Sequence, residues 1–178
     1  MSITLICGPM FSGKTTSLIS KVERFLLAKQ KVIAIKWKGD LRYTSEAKLM
    51  THSGLECPCL TCDDQDLQNI YPKIQDYDII CVDEGSFFKG ITDFCEMLAN
   101  RGHRVIVASL IATSERKGFN DILNLIPKCE KVEMLYAVCM NCHTDGAAFT
   151  KRTVNSDQVE LVGGSESYQA VCRKCYFR

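Results

Sequence analysis

The stretch Gly8-Pro9-Met10-Phe11-Ser12-Gly13-Lys14-Thr15 decides the fold. It matches the phosphate-loop pattern G-x-x-x-x-G-K-[ST] at every fixed position. The apolar run at residues 3–7 precedes it, and apolar residues at helical spacing follow Lys14. In a strand–loop–helix unit of this kind, backbone N–H groups and the helix N-terminus surround a phosphate. The stretch therefore predicts a site for a nucleoside triphosphate.

Each polar group of this loop has an expected role. Lys14 is expected to neutralise oxygens of the β- and γ-phosphates, and the Thr15 hydroxyl is expected to ligate Mg²⁺. An ordinary glycine turn before a helix is the alternative, but it does not require the lysine and the hydroxyl in this order. The residues expected to bind the nucleotide here are Gly8, Ser12, Gly13, Lys14, Thr15 and Thr16.

The apolar pattern predicts an α/β fold. Runs at residues 31–37, 78–82 and 103–110 predict further buried strands, residues 131–138 predict one more strand, and residues 63–70 and 91–100 predict helices. Strands that alternate with helices indicate a parallel central sheet with helices on both faces, as in a RecA-like P-loop domain. The pattern changes after about Pro127. We therefore expect a nucleotide-binding domain over residues 1–130 and a small C-terminal subdomain over residues 131–178.

Composition limits the possible partners. The chain has 178 residues, is 46% hydrophobic and carries a formal net charge of +1. This charge gives no reason to expect nucleic acid or an anionic membrane as a partner. No apolar run reaches the roughly 20 residues that cross a bilayer, and no basic segment of a signal peptide precedes the first strand. We expect a cytoplasmic protein.

Two adjacent carboxylates follow the strand predicted at residues 78–82. Ligands of open α/β sheets bind at the carboxyl ends of the strands, where Asp83 and Glu84 stand. Asp83 suits the magnesium-side carboxylate of a Walker B strand, and Glu84 suits a general base. A strand that ends in acids at a solvated turn is the alternative. The two elements predict phosphoryl transfer to water, as in an ATPase, or to a substrate hydroxyl, as in a kinase.

Eleven cysteines are unusual in a chain of this length. Four of them form two C-x-x-C pairs, whose spacing suits tetrahedral Zn²⁺, and a redox pair is the alternative. A closed Cys₄ site has a structural role, so zinc is expected to fix the loop between the pairs. The candidate ligands are Cys139, Cys142, Cys172 and Cys175.

The other cysteines are expected to be thiols. Cys57, Cys59 and Cys62 lie close together without a fourth ligand nearby, so a second metal site is the weaker interpretation. Cys7, Cys81 and Cys95 lie in apolar runs and are expected to be small core residues.

Three stretches resemble the cellular-type (type II) thymidine kinases, a family of cytosolic animal, bacterial and poxvirus enzymes. They are residues 8–15, Asp83-Glu84-Gly85-Ser86-Phe87-Phe88, and the run Gly-Ser-Glu-Ser-Tyr-Gln-Ala-Val-Cys-Arg-Lys-Cys-Tyr at residues 164–176. The similarity extends along nearly the whole chain, and short poxvirus-like members are most similar in length. The resemblance implies Mg²⁺-dependent transfer of the ATP γ-phosphate to the 5′-hydroxyl of thymidine, which gives dTMP for nucleotide salvage and DNA synthesis.

The resemblance also implies roles for individual residues. Glu84 matches the general base, and Asp40 and Arg42 match residues near the 5′-oxygen and the transferring phosphate. Phe87 and Phe119 match aromatic residues that enclose the nucleoside. Residues 159–163 match the "lasso" loop, whose backbone binds the thymine ring, with Val159, Leu161 and Gly163 as the contacts. The pocket for the thymine methyl group is matched by Met10, Leu110, Thr150 and Tyr168.

Further expectations follow from the resemblance. Relatives are usually homotetramers, and thymidine triphosphate (dTTP) inhibits them at the nucleoside site. Backbone contacts to the base favour thymine over cytosine. One methyl group is worth only about 1–3 kcal/mol, so deoxyuridine is an expected secondary substrate. The phosphate loop contacts only phosphates and does not define the donor base.

The sequence departs from the family pattern at a few positions. Relatives usually carry Gln at Ser86, Pro at Gly118, and Asp-Gly-Thr-Phe where this chain has Ile111-Ala112-Thr113-Ser114. These departures keep one alternative open, a nucleoside-binding relative with weakened catalysis. A RecA-like ATPase with a zinc ribbon that acts on nucleic acid is the other alternative.

Overall fold

The computed structural model describes residues 1–39, 48–50, 56–63, 67–154 and 163–178. Its main feature is a seven-stranded sheet in the order β3-β4-β2-β5-β6-β1-β7. The two strands β3 and β4 are antiparallel, and every other neighbouring pair is parallel. The strands are β1 (Ser2–Cys7), β2 (Val32–Trp37), β3 (Lys48–Met50), β4 (Glu56–Cys62), β5 (Ile79–Val82), β6 (Arg104–Ser109) and β7 (Lys131–Met134).

Helices cover both faces of this sheet. The α-helices are α1 (Lys14–Leu27), α2 (Tyr71–Ile74), α3 (Ile91–Asn100) and α4 (Arg173–Tyr176), and 3₁₀ segments lie at Leu67–Asn69, Gly85–Phe87 and Asn120–Lys128. One buried apolar cluster includes residues of α3, and a second includes Leu18 and Val22 of α1. The central strands are buried on both faces, which explains their continuous apolar sequences. The predicted α/β fold is confirmed.

The C-terminal region forms a small separate layer. Strands β8 (Phe149–Arg152) and β9 (Tyr168–Val171) pair in antiparallel orientation, and α4 follows them. Six buried residues form the core of this layer, and two of them are Cys139 and Cys175. The division of the chain at residue 130 stays a prediction. Strand β7 follows that position and pairs with β1 in the central sheet.

The prediction of one helix over residues 63–70 is wrong for the part that the structure describes. Residues 67–69 form a single 3₁₀ turn, and α2 begins at Tyr71. Leu67, Ile70 and Ile74 are buried at helical spacing, which explains the prediction. Pro72 has no backbone N–H and fits only the first turn of a helix, so it starts a new helix and does not continue an old one.

Strand β4 had no counterpart among the predicted strands, because its sequence is Glu-Cys-Pro-Cys-Leu-Thr-Cys. Its cysteines act as small apolar residues. Cys57 and Cys59 are buried with residues of α1, while Pro58 between them is exposed. The alternation is that of a strand. Within the described residues, no helix has the length and hydrophobicity that a bilayer span requires.

Candidate active site

The phosphate loop connects β1 to α1 at the carboxyl edge of the sheet. A Cβ atom at Gly8 would lie 2.5 Å from the carbonyl oxygen of Leu135, so a larger residue does not fit there. Gly13 has φ 80° and precedes the first helical residue, Lys14. Only glycine adopts such angles at little cost. The two fixed glycines of the motif therefore each have a steric reason.

Polar side chains of the loop are held by its own backbone and by β5. The Ser12 hydroxyl and the Lys14 ammonium both donate to the carbonyl of Pro9, each at 2.8 Å. The Thr15 hydroxyl lies 3.1 Å from both carboxylate oxygens of Asp83. Thr16 is exposed in the first turn of α1. The structure thus brings together the predicted nucleotide-binding residues and the predicted magnesium ligand.

Asp83 is a buried carboxylate, with 3% of its surface exposed. Burial and the neighbouring Glu84 raise the pKa of Asp83 to about 6, although hydrogen bonds from Thr15 and the Glu84 N–H and the charge of Lys36 oppose this shift. A carboxylate that is costly to ionise in the empty protein has a strong preference for a cation. Together with Thr15, Asp83 offers the oxygen ligands that Mg²⁺ uses.

Glu84 follows with an unusual backbone conformation. Its φ and ψ of 55° and 43° are left-handed, a conformation that costs a non-glycine residue of order 1 kcal/mol. It precedes the 3₁₀ turn Gly85–Phe87, and a Cβ at Gly85 would lie 2.5 Å from Val107 of β6. The close packing of this turn fixes the backbone of Glu84, and the side chain of Glu84 is partly exposed at the sheet edge.

Apolar side chains line one side of the phosphate loop. Leu110 and Phe119 are buried in the main core cluster, and Met10 and Phe87 pack against it. The ring of Phe87 stacks on Trp37 with centroids 4.6 Å apart, and it meets Phe119 edge to face at 5.5 Å. Met10, Phe87 and Leu110 follow β1, β5 and β6, three strands that end at the same edge of the sheet. The result is an aromatic wall of fixed orientation beside Glu84.

The C-terminal layer completes this wall. The N–H of Met10 donates to the hydroxyl of Thr150 on β8 at 3.0 Å, which joins the phosphate loop directly to that layer. Tyr168 is buried, and the guanidinium of Arg152 lies 5.6 Å from its ring centroid. Gly163 is partly exposed at the start of the last described segment. Met10 and Thr150 therefore meet at the loop, and Tyr168 lies on β9, which pairs with the strand of Thr150.

Four predicted site residues lie outside the described residues. They are Asp40, Arg42, Val159 and Leu161. Their roles remain predictions.

The four cysteines of the C-x-x-C pairs come together. Their sulfur atoms all lie within 4.8 Å of one another, and the Cys142 and Cys172 sulfurs are 3.7 Å apart. Tetrahedral Zn–S bonds of about 2.3 Å place sulfurs about 3.8 Å apart, so the residues fit a zinc ion. Burial raises the pKa of Cys139, but N–H groups such as that of Cys172 lower it more, to about 6. Such a thiol readily supplies the thiolate that zinc requires.

Two cysteines of β4, Cys57 and Cys59, differ from Cys139 in the direction of their pKa shifts. Burial raises the pKa of Cys57 to about 12, with the neighbouring Cys59 adding to the effect. Both residues point into the core below α1. Among the described side chains, only the C-terminal cluster brings three or more metal-ligating groups together. The assignment of Cys57, Cys59 and Cys62 as thiols stays a prediction.

The structure shows the surroundings of three residues that depart from the family pattern. Ser86 is fully buried, and its carbonyl accepts a hydrogen bond from Asn120 at 2.9 Å. Ile111 packs against the main core cluster. The carbonyl of Ser114 accepts a hydrogen bond from the Tyr176 hydroxyl at 2.6 Å. Ile111 and Ser114 are thus accommodated by packing or by a backbone contact, whereas the buried hydroxyl of Ser86 has no hydrogen-bond partner among the described residues.

Sequence reasoning missed three residues near the site. Lys36 lies on β2 beside Asp83, Trp37 stacks on Phe87, and Arg152 lies over Tyr168. Lys36 and Trp37 end a run of four buried apolar residues at the carboxyl edge, and this was a usable signal. For Arg152 no local signal exists, because its partner lies on β9.

Comparison with known proteins identifies relatives over the full length. The family model described as thymidine kinase matches residues 1–176. A thymidine kinase of sheeppox virus is 47% identical over 175 residues, which cover 98% of this chain and 96% of that protein. A thymidine kinase of vaccinia virus is also 47% identical, with the same coverage. Thymidine kinase 1 of Dictyostelium discoideum is 44% identical over 98% of this chain and 77% of its own length.

The raised pKa of Asp83 predicts that its ionised carboxylate lowers the stability of the metal-free protein, although the same carboxylate can bind a cation. The folded protein holds the Asp83 proton more tightly than the unfolded chain, so ionisation destabilises the fold as pH rises through about 6. In metal-free buffer at pH 8, Asp83→Asn should raise the free energy of unfolding by about 1–3 kcal/mol, with roughly half this gain at pH 5. Urea unfolding measures both values.

The exposed Asp76 supplies the control, since Asp76→Asn should leave the unfolding free energy unchanged at both pH values. Mg²⁺ with ADP should stabilise the wild type and not Asp83→Asn. A lower stability of Asp83→Asn at pH 8 would contradict the interpretation.

The cysteine cluster predicts one zinc ion per chain. Cys142→Ser should lose the metal and lower the unfolding midpoint of the C-terminal layer, because its small core depends on the metal. Elemental analysis and native mass spectrometry measure the zinc content. Cys129→Ser is the matched control, since this partly buried thiol lies outside the cluster. Equal zinc content in both variants would rule out the site.

Proposed function

The chain belongs to the thymidine kinase family, and we propose that it transfers the γ-phosphoryl group of ATP to the 5′-hydroxyl of thymidine, giving dTMP. The observation that carries the proposal is the contact of Thr15 with Asp83 at 3.1 Å, directly beside Glu84 and the aromatic wall. A nucleotide site and a nucleoside site thus share one edge of the sheet. The reaction that needs both sites is phosphoryl transfer from one to the other.

The nucleotide half of the proposal rests on the phosphate loop. Gly8, Ser12, Gly13 and the first residues of α1, including Thr16, would surround the β-phosphate with N–H groups. Lys14 would bind oxygens of the β- and γ-phosphates. When bound between Thr15 and Asp83, Mg²⁺ would neutralise the charge that develops on the transferring group.

The acceptor half rests on Glu84. This carboxylate would accept the proton of the 5′-hydroxyl as the oxygen attacks phosphorus. Because Glu84 is fixed by the turn Gly85–Phe87, little reorganisation is needed at the moment of reaction. Asp40 and Arg42 are proposed to assist at the 5′-oxygen and the transferring phosphate.

The nucleoside would lie against the aromatic wall. Phe87 and Phe119 would enclose the sugar and base, and the residues proposed for the methyl pocket are Met10, Leu110, Thr150 and Tyr168. Backbone groups near Val159, Leu161 and Gly163 would bind the thymine ring. Deoxyuridine is the proposed secondary substrate, with a kcat/KM about 10–200-fold lower than that of thymidine.

Zinc at the four cysteines is part of the proposal. It would hold the two ends of the segment between the C-x-x-C pairs, which lowers the entropy cost of ordering that segment on substrate. The domain division follows from this, with a kinase domain over residues 1–130 and a zinc-binding lasso subdomain over 131–178. Reduced cysteines are needed for this site, which supports the proposed cytoplasmic location.

A homotetramer with dTTP as feedback inhibitor completes the proposal. Strand β7 is an edge of the described sheet, and alternate residues from 132 to 138 are large, apolar and exposed, namely Val132, Met134, Tyr136 and Val138. An exposed apolar edge strand favours pairing with another chain. A second copy of this edge is the proposed partner. No feature of this surface favours nucleic acid or a membrane.

The function predicts a specific loss in Glu84→Gln. The kcat for thymidine phosphorylation should fall by about 10²–10⁴-fold because the general base is removed, while thymidine and ATP affinities change only a few-fold. A coupled ADP assay and calorimetry measure these quantities. Glu115→Gln, at an exposed carboxylate, is the control. Activity of Glu84→Gln within tenfold of wild type would disprove the role.

The same assay separates the alternative functions. ADP should form only when thymidine is present, with deoxyuridine slower and deoxycytidine slower still. ADP formation at a comparable rate without thymidine would favour the ATPase. Thymidine binding without phosphorylation would favour the weakened relative.

The exposed edge predicts the effect of a charge on assembly. Val132→Lys should shift the protein to smaller species, because a lysine on an edge strand opposes strand pairing. Light scattering after gel filtration measures the mass. Val154→Lys is the matched control, since Val154 is equally exposed (40% against 41%) and lies off the edge. The same mass for Val132→Lys and wild type would exclude this edge as the interface.

A further inference from the structure

Residues 112–118 form a short hairpin next to the candidate nucleoside site. Ala112 and Gly118 form an antiparallel bridge, and the N–H of Thr113 donates to the carbonyl of Lys117 at 2.9 Å. Leu110 precedes this hairpin and Phe119 follows it. The position of the hairpin therefore affects the positions of Leu110 and Phe119, two residues of the proposed nucleoside site.

The tip of the hairpin contacts the C-terminal layer through Arg116. Its guanidinium carbon lies 4.5 Å from the ring centroid of Phe177, 4.7 Å from that of Tyr176 and 5.8 Å from that of Phe149. These distances are in the range of favourable cation–π contacts. Arg116 adopts φ 61°, a left-handed conformation that is unfavourable for a non-glycine residue.

A hydrogen bond supports this contact. The Tyr176 hydroxyl donates to the carbonyl of Ser114 at 2.6 Å. Tyr176 lies on α4, which carries Cys175 and begins directly after Cys172. One short helix thus holds two candidate zinc ligands at or next to its ends and the residue that binds the hairpin.

The same helix is also tied to β8. The Lys151 ammonium donates to the carbonyl of Cys175 at 3.2 Å, and the neighbouring Thr150 binds the N–H of Met10. Two routes therefore lead from the cysteine cluster to the site. One runs through the hairpin to Leu110 and Phe119, and the other through β8 to the phosphate loop.

A cavity increases the importance of the Arg116 contact. About 310 Å³ of space lies between the hairpin, β8 and the phosphate loop, lined by Ile111, Thr113, Arg116, Phe149 and Pro9 among others. Close packing holds most neighbouring elements of a protein together. Here space separates the inner part of the hairpin from β8, so the cluster of Arg116 with the three rings carries the attachment.

We propose that Arg116 and Tyr176 form a latch that couples metal binding at the four cysteines to thymidine binding. Arg116 is then a positioning residue, which acts on the nucleoside through the hairpin and does not touch it. This inference rests on the proposed function. Coupling between two sites is reciprocal, so thymidine must raise the affinity for zinc by the same factor by which zinc raises the affinity for thymidine.

Zinc release tests the coupling without measuring activity. The purified zinc-loaded protein is brought to equilibrium with increasing concentrations of a chromogenic chelator, with and without saturating thymidine. In the wild type, thymidine should raise the chelator concentration that removes half of the zinc by about fivefold or more. In Arg116→Ala this effect of thymidine should be clearly smaller, because the route through the hairpin is weakened while the hydrogen bond of Tyr176 and the route through β8 remain. Lys117→Ala is the matched control, because Lys117 lies on the same hairpin with its side chain 77% exposed.

Steady-state kinetics test the positioning role. Arg116→Ala should raise the thymidine KM by about tenfold with kcat within about threefold, because binding is lost and the chemical step is not. Arg116→Lys, which keeps the cation, should recover part of the loss. Tyr176→Phe removes only the hydroxyl contact with Ser114 and should show an intermediate effect in both experiments. It gives the same test if Arg116→Ala does not fold.

Two results would overturn the latch. One is zinc release that thymidine does not affect in the wild type. The other is thymidine protection of equal size in the wild type, Arg116→Ala and Tyr176→Phe. Both are separable from failure of the proposed function, which would show as absence of thymidine phosphorylation by the wild type in the ADP assay.

Discussion

Parallel pairing of β1, β6 and β5 is the constraint on which the site depends. The pairs Cys7 with Ser109 and Val82 with Val107 place the carboxyl ends of these strands at one edge of the sheet. Each strand is followed there by a residue of the proposed site: Gly8 after β1, Leu110 after β6 and Asp83 after β5. The hydrogen bond from the Asp83 N–H to the Ile35 carbonyl on β2, at 2.9 Å, extends the arrangement by one more strand. The register of the buried strands therefore determines where the residues at the carboxyl edge of the sheet lie relative to one another.

Two energetically unfavourable features of the fold lie at this carboxyl edge of the sheet. Asp83 is buried with a raised pKa, and Glu84 next to it has a left-handed backbone. Neither feature helps the empty protein to fold. Both are held in place by the apolar clusters on the two faces of the sheet, whose strands are almost fully buried. The burial that destabilises the Asp83 carboxylate also gives it affinity for a cation, so stability and function are opposed at one residue.

The C-terminal layer has too small a core to be stable without further support. Its core of six buried residues is too small to be stable alone, and layers of this size commonly need a metal or a disulfide. Four cysteine sulfurs within 4.8 Å supply the ligands for a metal. The layer is also anchored at the phosphate loop by Thr150 and at the 112–118 hairpin by Tyr176. A metal ion bound by these cysteines would therefore be connected to the proposed nucleoside site without contributing a ligand to it.

Local sequence determined the parts of this protein whose chemistry lies in consecutive residues. The phosphate loop, helix α3 at Ile91–Asn100, the central strands, the Asp83-Glu84 pair and the C-x-x-C pairs were all predictable, because each has a period or a spacing with a physical cause. The helix over residues 63–70 failed because buried positions at helical spacing also fit a 3₁₀ turn and a separate short helix that carries Pro72 in its first turn. Strand β4 was missed because its alternation of buried and exposed residues is formed by cysteines and a proline, which are not typical strand residues.

Only the tertiary structure decided how these parts meet. The contact of Thr150 with Met10 joins positions 140 residues apart, and that of Tyr176 with Ser114 joins positions 62 apart. The stacking of Trp37 on Phe87 and the raised pKa of Asp83 likewise arise from side chains that different strands bring together. No local pattern encodes such contacts, because their free energy depends on burial and distance in the folded chain. The sequence by itself defined the chemical groups, and the fold defined their distances and their environment.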